Sequence, residues 1–86
     1  MAKFCMKVLL FAEAREVAEA DFVEIEISSK SSRSEIFSSL SSKIPELESV
    51  LKSSQLARNH EYVSDEGCFE ISASDELAVI PPIGGG

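Results

Sequence analysis

The run KFCMKVLLFA, residues 3–12, has the composition of a β-strand that is covered on both faces. At a period of two, its side chains divide into two sets. One face holds Phe4, Met6, Val8, Leu10 and Ala12, and the other holds Cys5, Lys7, Leu9 and Phe11. Both faces are largely apolar in the second half of the run. Such a strand either lies at the centre of a sheet or keeps one face for a partner.

A short helical turn and a second strand follow this run. The segment EAREVAEA, residues 13–20, favours a helical turn by its propensities, although it is too short to be stable alone. In DFVEIEIS, residues 21–28, the apolar residues alternate with glutamates, which is typical of a half-buried strand. We therefore predict a hairpin of two strands whose connection contains the helical turn.

The next segment, residues 28–54, is rich in serine but carries a helical pattern. Its apolar side chains recur at the offsets of one helical face. Ser32 and Glu35 have the spacing of a capping box, which places a helix over residues 33–43. Pro45 cannot continue that helix but suits the first turn of another one. A second short helix is predicted over residues 46–53.

The last third of the chain has the composition of strands separated by turns. Strands are predicted at residues 56–63, 68–71 and 77–80, with turns at 64–67 and 72–76. The resulting order indicates an α+β domain in which a mixed sheet wraps one main helix. The β-grasp, or ubiquitin-like, fold has this order, and its first and last strands lie together at the sheet centre. The alternative is a ferredoxin-like sandwich, which needs a second long helix that the sequence hardly offers.

Composition excludes several classes of function. The 86 residues suit one domain, which we place at residues 1–82 with a flexible tail at 83–86, and the net charge of −7 argues against nucleic acid as a partner. Cys5, Cys68 and His60 lack the spacing of a metal site, and we expect the two thiols to be reduced and at least half buried. No signal-peptide pattern or apolar run of about 20 residues is present, so we expect a cytosolic protein without a membrane anchor.

The C-terminal sequence AVIPPIGGG, residues 78–86, ends an apolar strand and continues without large side chains. Pro81 and Pro82 cannot donate to a neighbouring strand, so the strand must end there. Three glycines then give a thin tail that can enter a narrow channel and present the α-carboxylate of Gly86. Activation of that carboxylate as a mixed anhydride with AMP would let a sulfur nucleophile convert it to a thiocarboxylate. A frayed end is the alternative.

Three stretches carry a resemblance to a known family. VLLFAEARE at residues 8–16, NHEYV at 59–63 and SDELAVIPPIGGG at 74–86 together resemble the small, sulfur-carrier subunit of molybdopterin synthase. The resemblance implies a β-grasp fold without a bound cofactor. It also implies ATP-dependent adenylation and thiocarboxylation of the last glycine by an E1-like activating enzyme. The tail would then enter the large synthase subunit, in a heterotetramer, and pass sulfur to cyclic pyranopterin monophosphate.

The resemblance also implies roles for individual residues. Gly86 matches the thiocarboxylate residue and Gly85 its required neighbour, whereas Phe11, Tyr62 and Ile80 match apolar positions that contact partner enzymes. The tail positions expected to bind partners are Pro81, Pro82, Ile83 and Gly84. Relatives often have a glycine in the turn after the RE dipeptide, where this chain has Glu19 and Ala20. This departure leaves the turn geometry open.

Three other functions remain open from the sequence. The chain could be a ubiquitin-like modifier joined through Gly86 to lysines, a sulfur carrier for thiamine or tRNA thiolation, or an interaction module with an inert tail. The Pro-Pro element favours the molybdopterin branch because it resembles that branch's tail. No nucleophile–base pair or phosphate loop is apparent, and His60 has no partner pattern for a general base. We therefore expect a sulfur donor that depends on another subunit for catalysis.

Overall fold

A computed structural model describes residues 3–63 and 67–82 of the chain. The elements follow one another as β1 (Lys3–Leu10), α1 (Ala12–Ala18), β2 (Phe22–Ser28), β3 (Lys30–Ser32), α2 (Arg33–Lys43), a 3-10 turn (Pro45–Leu47), α3 (Glu48–Leu51), β4 (Gln55–Arg58), β5 (Glu61–Tyr62), β6 (Cys68–Glu70) and β7 (Leu77–Ile80). The predicted first, second and last strands and the main helix are confirmed. The predicted tail at 83–86 and most of the predicted turn at 64–67 lie outside the described residues.

A five-stranded mixed sheet has the strand order β2-β1-β7-β4-β5. Strand β1 pairs antiparallel with β2, as expected for the predicted hairpin, and parallel with β7. Strand β7 is the middle strand and pairs on its other side with β4. Helix α2 lies on one face of this sheet, and the other described helices are shorter. This is the β-grasp arrangement with its first and last strands adjacent at the centre, and the ferredoxin-like alternative is excluded.

The core lies between α2 and one face of the sheet. Strand β1 contributes Met6, Val8 and Leu10, all at most 3% exposed, and helix α2 contributes Ile36 and Leu40, both at 0%. The predicted two faces of β1 are therefore confirmed up to Leu10, because the buried residues belong to the even set. Ala12, predicted on the same face, is exposed and begins α1, so the strand ends before it. The opposite face consequently holds Cys5, Lys7 and Leu9, and Phe11 follows directly after the strand.

The predicted capping box at the start of α2 is present. The Ser32 hydroxyl accepts a hydrogen bond from the Glu35 backbone N–H at 3.1 Å, and the Glu35 carboxylate accepts one from the Ser32 N–H at 2.8 Å. These two bonds satisfy donors that would otherwise lack an intrahelical partner. The serine-rich segment is therefore a helix with a well-defined start.

Loss of this cap should lower the stability of the whole domain. We expect Ser32→Ala to reduce the free energy of unfolding by about 1 kcal/mol, measured by urea denaturation. Ser34→Ala is the matched control, since Ser34 is exposed in the same turn and alanine is the better helix former. Equal losses in the two variants would contradict a specific role for the cap.

Two local predictions were wrong. The strand predicted over residues 56–63 is interrupted at Asn59 and His60, whose φ angles of 53° and 72° form a two-residue hairpin between β4 and β5. Asparagine is common at the first position of such a turn, but glycine is the usual second residue, and His60 in its place hid the turn in the sequence. The other error concerns Cys5 and Cys68, which are free but exposed, because neither thiol faces the core.

Two further features were left open or missed by the sequence. Strand β3 was not predicted because it covers three residues of the serine-rich segment, and it pairs with β6 in a separate two-stranded sheet. The glycine-free turn after α1 is made by Glu19, which adopts a left-handed conformation with φ 56° and ends the helix. The departure at this turn is therefore accommodated by Glu19 without a change of fold.

Candidate functional site

A row of apolar side chains crosses the sheet on the face opposite the core. The strand registers pair Leu9 with Phe22 and Ala78, Ala78 with Ala57, and Ala57 with Tyr62. One side chain from each of the five strands therefore lies in a single line, which we call the apolar row. Phe22 and Tyr62, at its two ends, are 42% and 69% exposed. A continuous apolar line on an exposed sheet face indicates a surface for another protein.

A shallow groove of about 350 Å³ lies along the central part of this row. Phe11 and Ile80 border it, together with most of the apolar row. Phe11 is 45% exposed and Ile80 is partly exposed. The structure thus brings together Phe11, Tyr62 and Ile80, the three apolar residues that the resemblance singled out on separate segments. Their contact with a partner stays a prediction.

The chain leaves the sheet beside this groove, at Pro81. Strand β7 ends at Ile80, Pro81 is buried and Pro82 is exposed. Because β1 and β7 run parallel, with Leu10 opposite Val79, the end of β1 and the start of the tail lie at the same end of the sheet. The predicted residues Ile83, Gly84, Gly85 and Gly86 lie outside the described residues. Four residues beyond Pro82 span at most about 14 Å when fully extended.

Charged side chains border the apolar row on the side away from the tail. Lys7 is the registered partner of Glu24 across β1 and β2. The Lys7 ammonium lies 4.3 Å from the centroid of the Phe22 ring, as in a cation–π contact. His60 Nε2 lies 3.4 Å from a carboxylate oxygen of Glu76, and both residues border the groove. We call this outer surface the docking face, after the partner that it is expected to bind. It consists of the apolar row, Phe11, Ile80 and the charged border of Lys7, Glu24, His60 and Glu76. It is apolar in the middle and charged along one side.

Asn59 fixes the position of this charged side. Its backbone N–H donates to the Glu76 carbonyl at 2.8 Å, and its side-chain oxygen accepts from the Glu76 N–H at 2.9 Å. The Asn59 amide nitrogen also donates to the Asp75 carboxylate at 3.1 Å. Asn59 therefore joins the β4–β5 turn to the residues that lead into β7. Reasoning from the sequence assigned no separate role to Asn59, although its tolerance of a left-handed backbone was an available signal.

Asp75 is held in its charged form by this turn. The Ser72 backbone N–H donates to the Asp75 carboxylate at 2.9 Å, and this bond is the main cause that lowers the pKa of Asp75 below 3.8. The Asn59 amide and the nearby Arg58 charge lower the pKa further. Hydrogen bonds to the ionised form make that form the stable one in the folded protein.

The hydrogen bonds to the Asp75 carboxylate should make part of the free energy of unfolding depend on pH. Because the pKa of Asp75 is lowered in the folded state, its contribution is fully present above the ordinary value of 3.8 and is lost as the pH falls through the folded pKa. We expect the difference in unfolding free energy between the wild type and Asp75→Ala to shrink below that ordinary value. Urea denaturation over a pH series measures it, and a difference independent of pH would contradict the assignment.

Several residues of this face were missed by reasoning from the sequence. Phe22, Ala57 and Ala78 were not singled out, since each becomes part of the face only through pairing with another strand. The even positions of β2 were a usable signal, because Phe22 shares their outward face with the two glutamates. Glu76 was missed because it lies in a turn, where no period indicates the direction of a side chain.

Comparison with known proteins matches residues 8–86 of the chain to the model of the ThiS family. The chain belongs to the ThiS family. The matched residues include all of the docking face except Lys7, and they include the terminal glycines. The sequence resemblance to small sulfur carriers is therefore confirmed at the level of the family.

Named relatives of this ThiS-family chain are molybdopterin synthase sulfur carrier subunits. The protein from Dictyostelium discoideum is 38% identical, and the match covers 93% of this chain and 94% of the relative. The protein from Arabidopsis thaliana is 41% identical, and the match covers 94% of this chain and 82% of the relative. Both matches extend over nearly the whole chain, so they concern the complete β-grasp domain.

Solved structures confirm the fold. Small archaeal modifier protein 1 from H. volcanii has a TM-score of 0.75 at 27% identity, with 92% of this chain and 98% of that chain covered. A putative molybdopterin converting factor, subunit 1, from Pyrococcus furiosus has a TM-score of 0.73 at 25% identity, with 92% and 98% covered. The ThiS-family chain therefore shares its β-grasp fold with proteins named as modifiers and as molybdopterin factors.

The described residues also bear on metal binding and on membrane insertion. Within residues 3–63 and 67–82, His, Cys, Asp and Glu form no cluster of three or more suited to a metal ion. None of the helices in the same residues has both the length and the apolar content needed to cross a membrane.

Proposed function

We propose that this ThiS-family chain is the sulfur-carrier subunit of a cytosolic molybdopterin synthase. The observation that carries the proposal is the position of Ile80 and Pro82, which lie at the same end of the sheet as the exposed Phe11 and precede the glycine-rich tail in the sequence. A partner that covers the apolar row is thereby placed next to the tail. The identity to named sulfur carrier subunits supports molybdopterin synthesis as the pathway.

The chemistry takes place on the carboxylate of Gly86. An activating enzyme joins this carboxylate to the AMP part of ATP and releases pyrophosphate. A sulfur donor then displaces AMP, and the product is a thiocarboxylate that is a strong nucleophile near neutral pH. In the synthase, that sulfur attacks a carbon of cyclic pyranopterin monophosphate and displaces an oxygen substituent, and water then cleaves the bond between the Gly86 carbonyl and the sulfur, which restores the carboxylate. Two such transfers supply the two sulfur atoms of the dithiolene. ATP and the pterin are substrates in this scheme, and the chain itself holds no resident cofactor.

The chain's own residues bind and position, whereas the partner supplies the catalytic groups. Phe11, Tyr62 and Ile80 offer apolar area for docking, and exposed aromatic side chains of this kind often dominate the binding energy of an interface. The terminal glycines let partner backbone approach the tail closely on each side. The partner is the large subunit of the synthase, in a heterotetramer of two small and two large subunits.

Loading and transfer should be tested in two steps. The purified chain is incubated with its activating enzyme, ATP and a sulfur donor, and the intact mass is measured. We expect the mass to rise by the replacement of one oxygen with sulfur at Gly86. The loaded chain is then mixed with the large subunit and the pyranopterin substrate, and dithiolene product is expected. An unmodified mass in a system that loads a known sulfur carrier would contradict the proposal.

A second candidate function is that of a ubiquitin-like protein modifier. It is favoured by the structural similarity to small archaeal modifier protein 1. A modifier would form an amide between Gly86 and a lysine of another protein, so covalent adducts of higher mass would appear in the loading reaction. A sulfur carrier for thiamine or tRNA thiolation would load in the same way but give no dithiolene with the large subunit.

A further inference from the structure

Two opposite charges lie side by side on the docking face. Lys7 precedes Val8 in β1, and Glu76 precedes Leu77 at the start of β7. Val8 and Leu77 are registered partners in the parallel pair of these strands. Lys7 and Glu76 therefore occupy neighbouring positions, two residues before Leu9 and Ala78, the members of the apolar row that β1 and β7 contribute. This is the side of the row away from the tail.

The neighbouring charges continue this pattern along the border. Glu24 is opposite Lys7 on the other side of β1, and His60 is 3.4 Å from Glu76. The border thus alternates in charge from β2 to the β4–β5 turn, with an anion, a cation, an anion and an imidazole. Because this order of charges is not the same in reverse, the border can distinguish two opposite orientations of a partner.

Both charges are held in place and remain accessible. The Lys7 ammonium lies over the Phe22 ring, and among the residues that the structure describes it forms no ion pair. The backbone of Glu76 is fixed by two hydrogen bonds to Asn59. The Glu76 side chain is still 49% exposed. Charges that are already positioned lose little conformational entropy when a partner pairs with them.

The apolar row by itself does not specify one orientation of a partner. It carries an aromatic side chain at each end, Phe22 and Tyr62, and small or aliphatic side chains between them. A partner rotated by half a turn about the normal to the face would still meet an apolar line with aromatic ends. That rotation would place the partner's catalytic pocket at the charged border instead of beside the tail.

We propose that Lys7 and Glu76 fix the orientation in which the large synthase subunit docks, by pairing with an acidic and a basic side chain of that subunit. This rests on the proposed function. In the correct orientation each charge meets its opposite. In the rotated one the pairs are lost, and charges left unpaired or facing their own sign disfavour that complex. The pair thereby acts on specificity, while the apolar row contributes the contact area.

A charge swap tests this role. The double variant Lys7→Glu/Glu76→Lys keeps the net charge at −7 and inverts the order of the two charges. We expect it to bind the cognate large subunit at least about tenfold more weakly than the wild type at low salt, measured by titration calorimetry. The matched control is Lys52→Glu/Glu46→Lys, which makes the same exchange at exposed positions on the helical side and should bind as the wild type does.

Salt and folding controls separate this role from a structural one. At about 1 M NaCl the Debye length falls to roughly 3 Å, so the swapped variant and the wild type should converge in affinity. Circular dichroism should show the same fold for both, and a modest fall in Tm is expected for the swapped chain because Lys7→Glu puts a carboxylate opposite Glu24. The single variant Glu76→Gln, which leaves Lys7 in place, provides a second test if the double variant unfolds. Equal binding of wild type and swapped chain at low salt would overturn this inference alone. A wild type that fails to bind the large subunit would overturn the proposed function instead.

Discussion

A chain that lacks one of its three terminal glycines is expected to lose sulfur transfer almost completely. The deletion leaves a Gly-Gly end, so the chemistry of the terminus is preserved. It shortens the tail by one residue, or about 3.5 Å. Misplacement of a reacting atom by even about 1 Å can cost about a hundredfold in rate. We therefore expect a loss of at least about a hundredfold, measured as dithiolene formation from a chain supplied with the thiocarboxylate already in place.

The control for this deletion keeps the length and changes the side chain. Gly84→Ala retains all six residues after Ile80 and adds only a methyl group, two residues before the reacting carboxylate. We expect its transfer rate to remain near that of the wild type. Unfolding free energies of all three chains should agree, since a terminal residue contributes little stability. Full activity of the shortened chain would show that the reach of the tail does not limit transfer.

Two neighbouring leucines of β1 should respond to truncation in opposite ways. Leu10 is 2% exposed in the core, and Leu10→Ala is expected to lower the unfolding free energy by about 2–5 kcal/mol. That loss is a large fraction of the stability of a domain of this size, which is typically about 5–15 kcal/mol. Leu9 lies in the apolar row, so Leu9→Ala should leave most of the stability and weaken binding to the large subunit.

Urea denaturation and calorimetric titration of the same two proteins measure both effects. Each variant serves as the control for the other, because the chemical change is identical and the positions are adjacent. The separation follows from the alternation of β1 between the core and the docking face. Equal destabilisation by the two substitutions would contradict the assignment of Leu9 to the outer face.

The sequence predicts those parts of the fold that depend on local pattern. The alternation of β1 and β2, the capping box of Ser32 and Glu35, and the end of β7 before Pro81 are all confirmed. Each depends on residues within a few positions of one another, so a single stretch contains the signal. The central position of β7 followed from the β-grasp order, in which the first and last strands lie side by side, and this position accounts for the apolar composition of both strands.

Features that depend on contacts between distant segments were not predictable in the same way. The apolar row exists only because five strands pair in one register, and no single strand encodes that register. The turn at Asn59 and His60 was missed because histidine stands where glycine is the usual residue. Asn59 holds this turn through bonds to Asp75 and Glu76, more than fifteen positions along the chain. The burial of the two thiols was predicted wrongly because cysteine is usually a buried residue, whereas Cys5 shares the outer face of β1 with Lys7 and Leu9.

The central position of β7 also determines how the domain responds to mechanical force. A tail held in a partner's channel transmits tension directly to Ile80, the last residue of β7. Strands β1 and β4 flank β7 on its two sides, and the parallel pairing with β1 places the tail and the start of β1 at opposite ends of the sheet. A pull between Lys3 at the start of β1 and Ile80 at the end of β7 would load the hydrogen bonds of this parallel pair together in shear. We therefore expect the pair to resist tension on the tail better than a pair of strands whose bonds open one at a time.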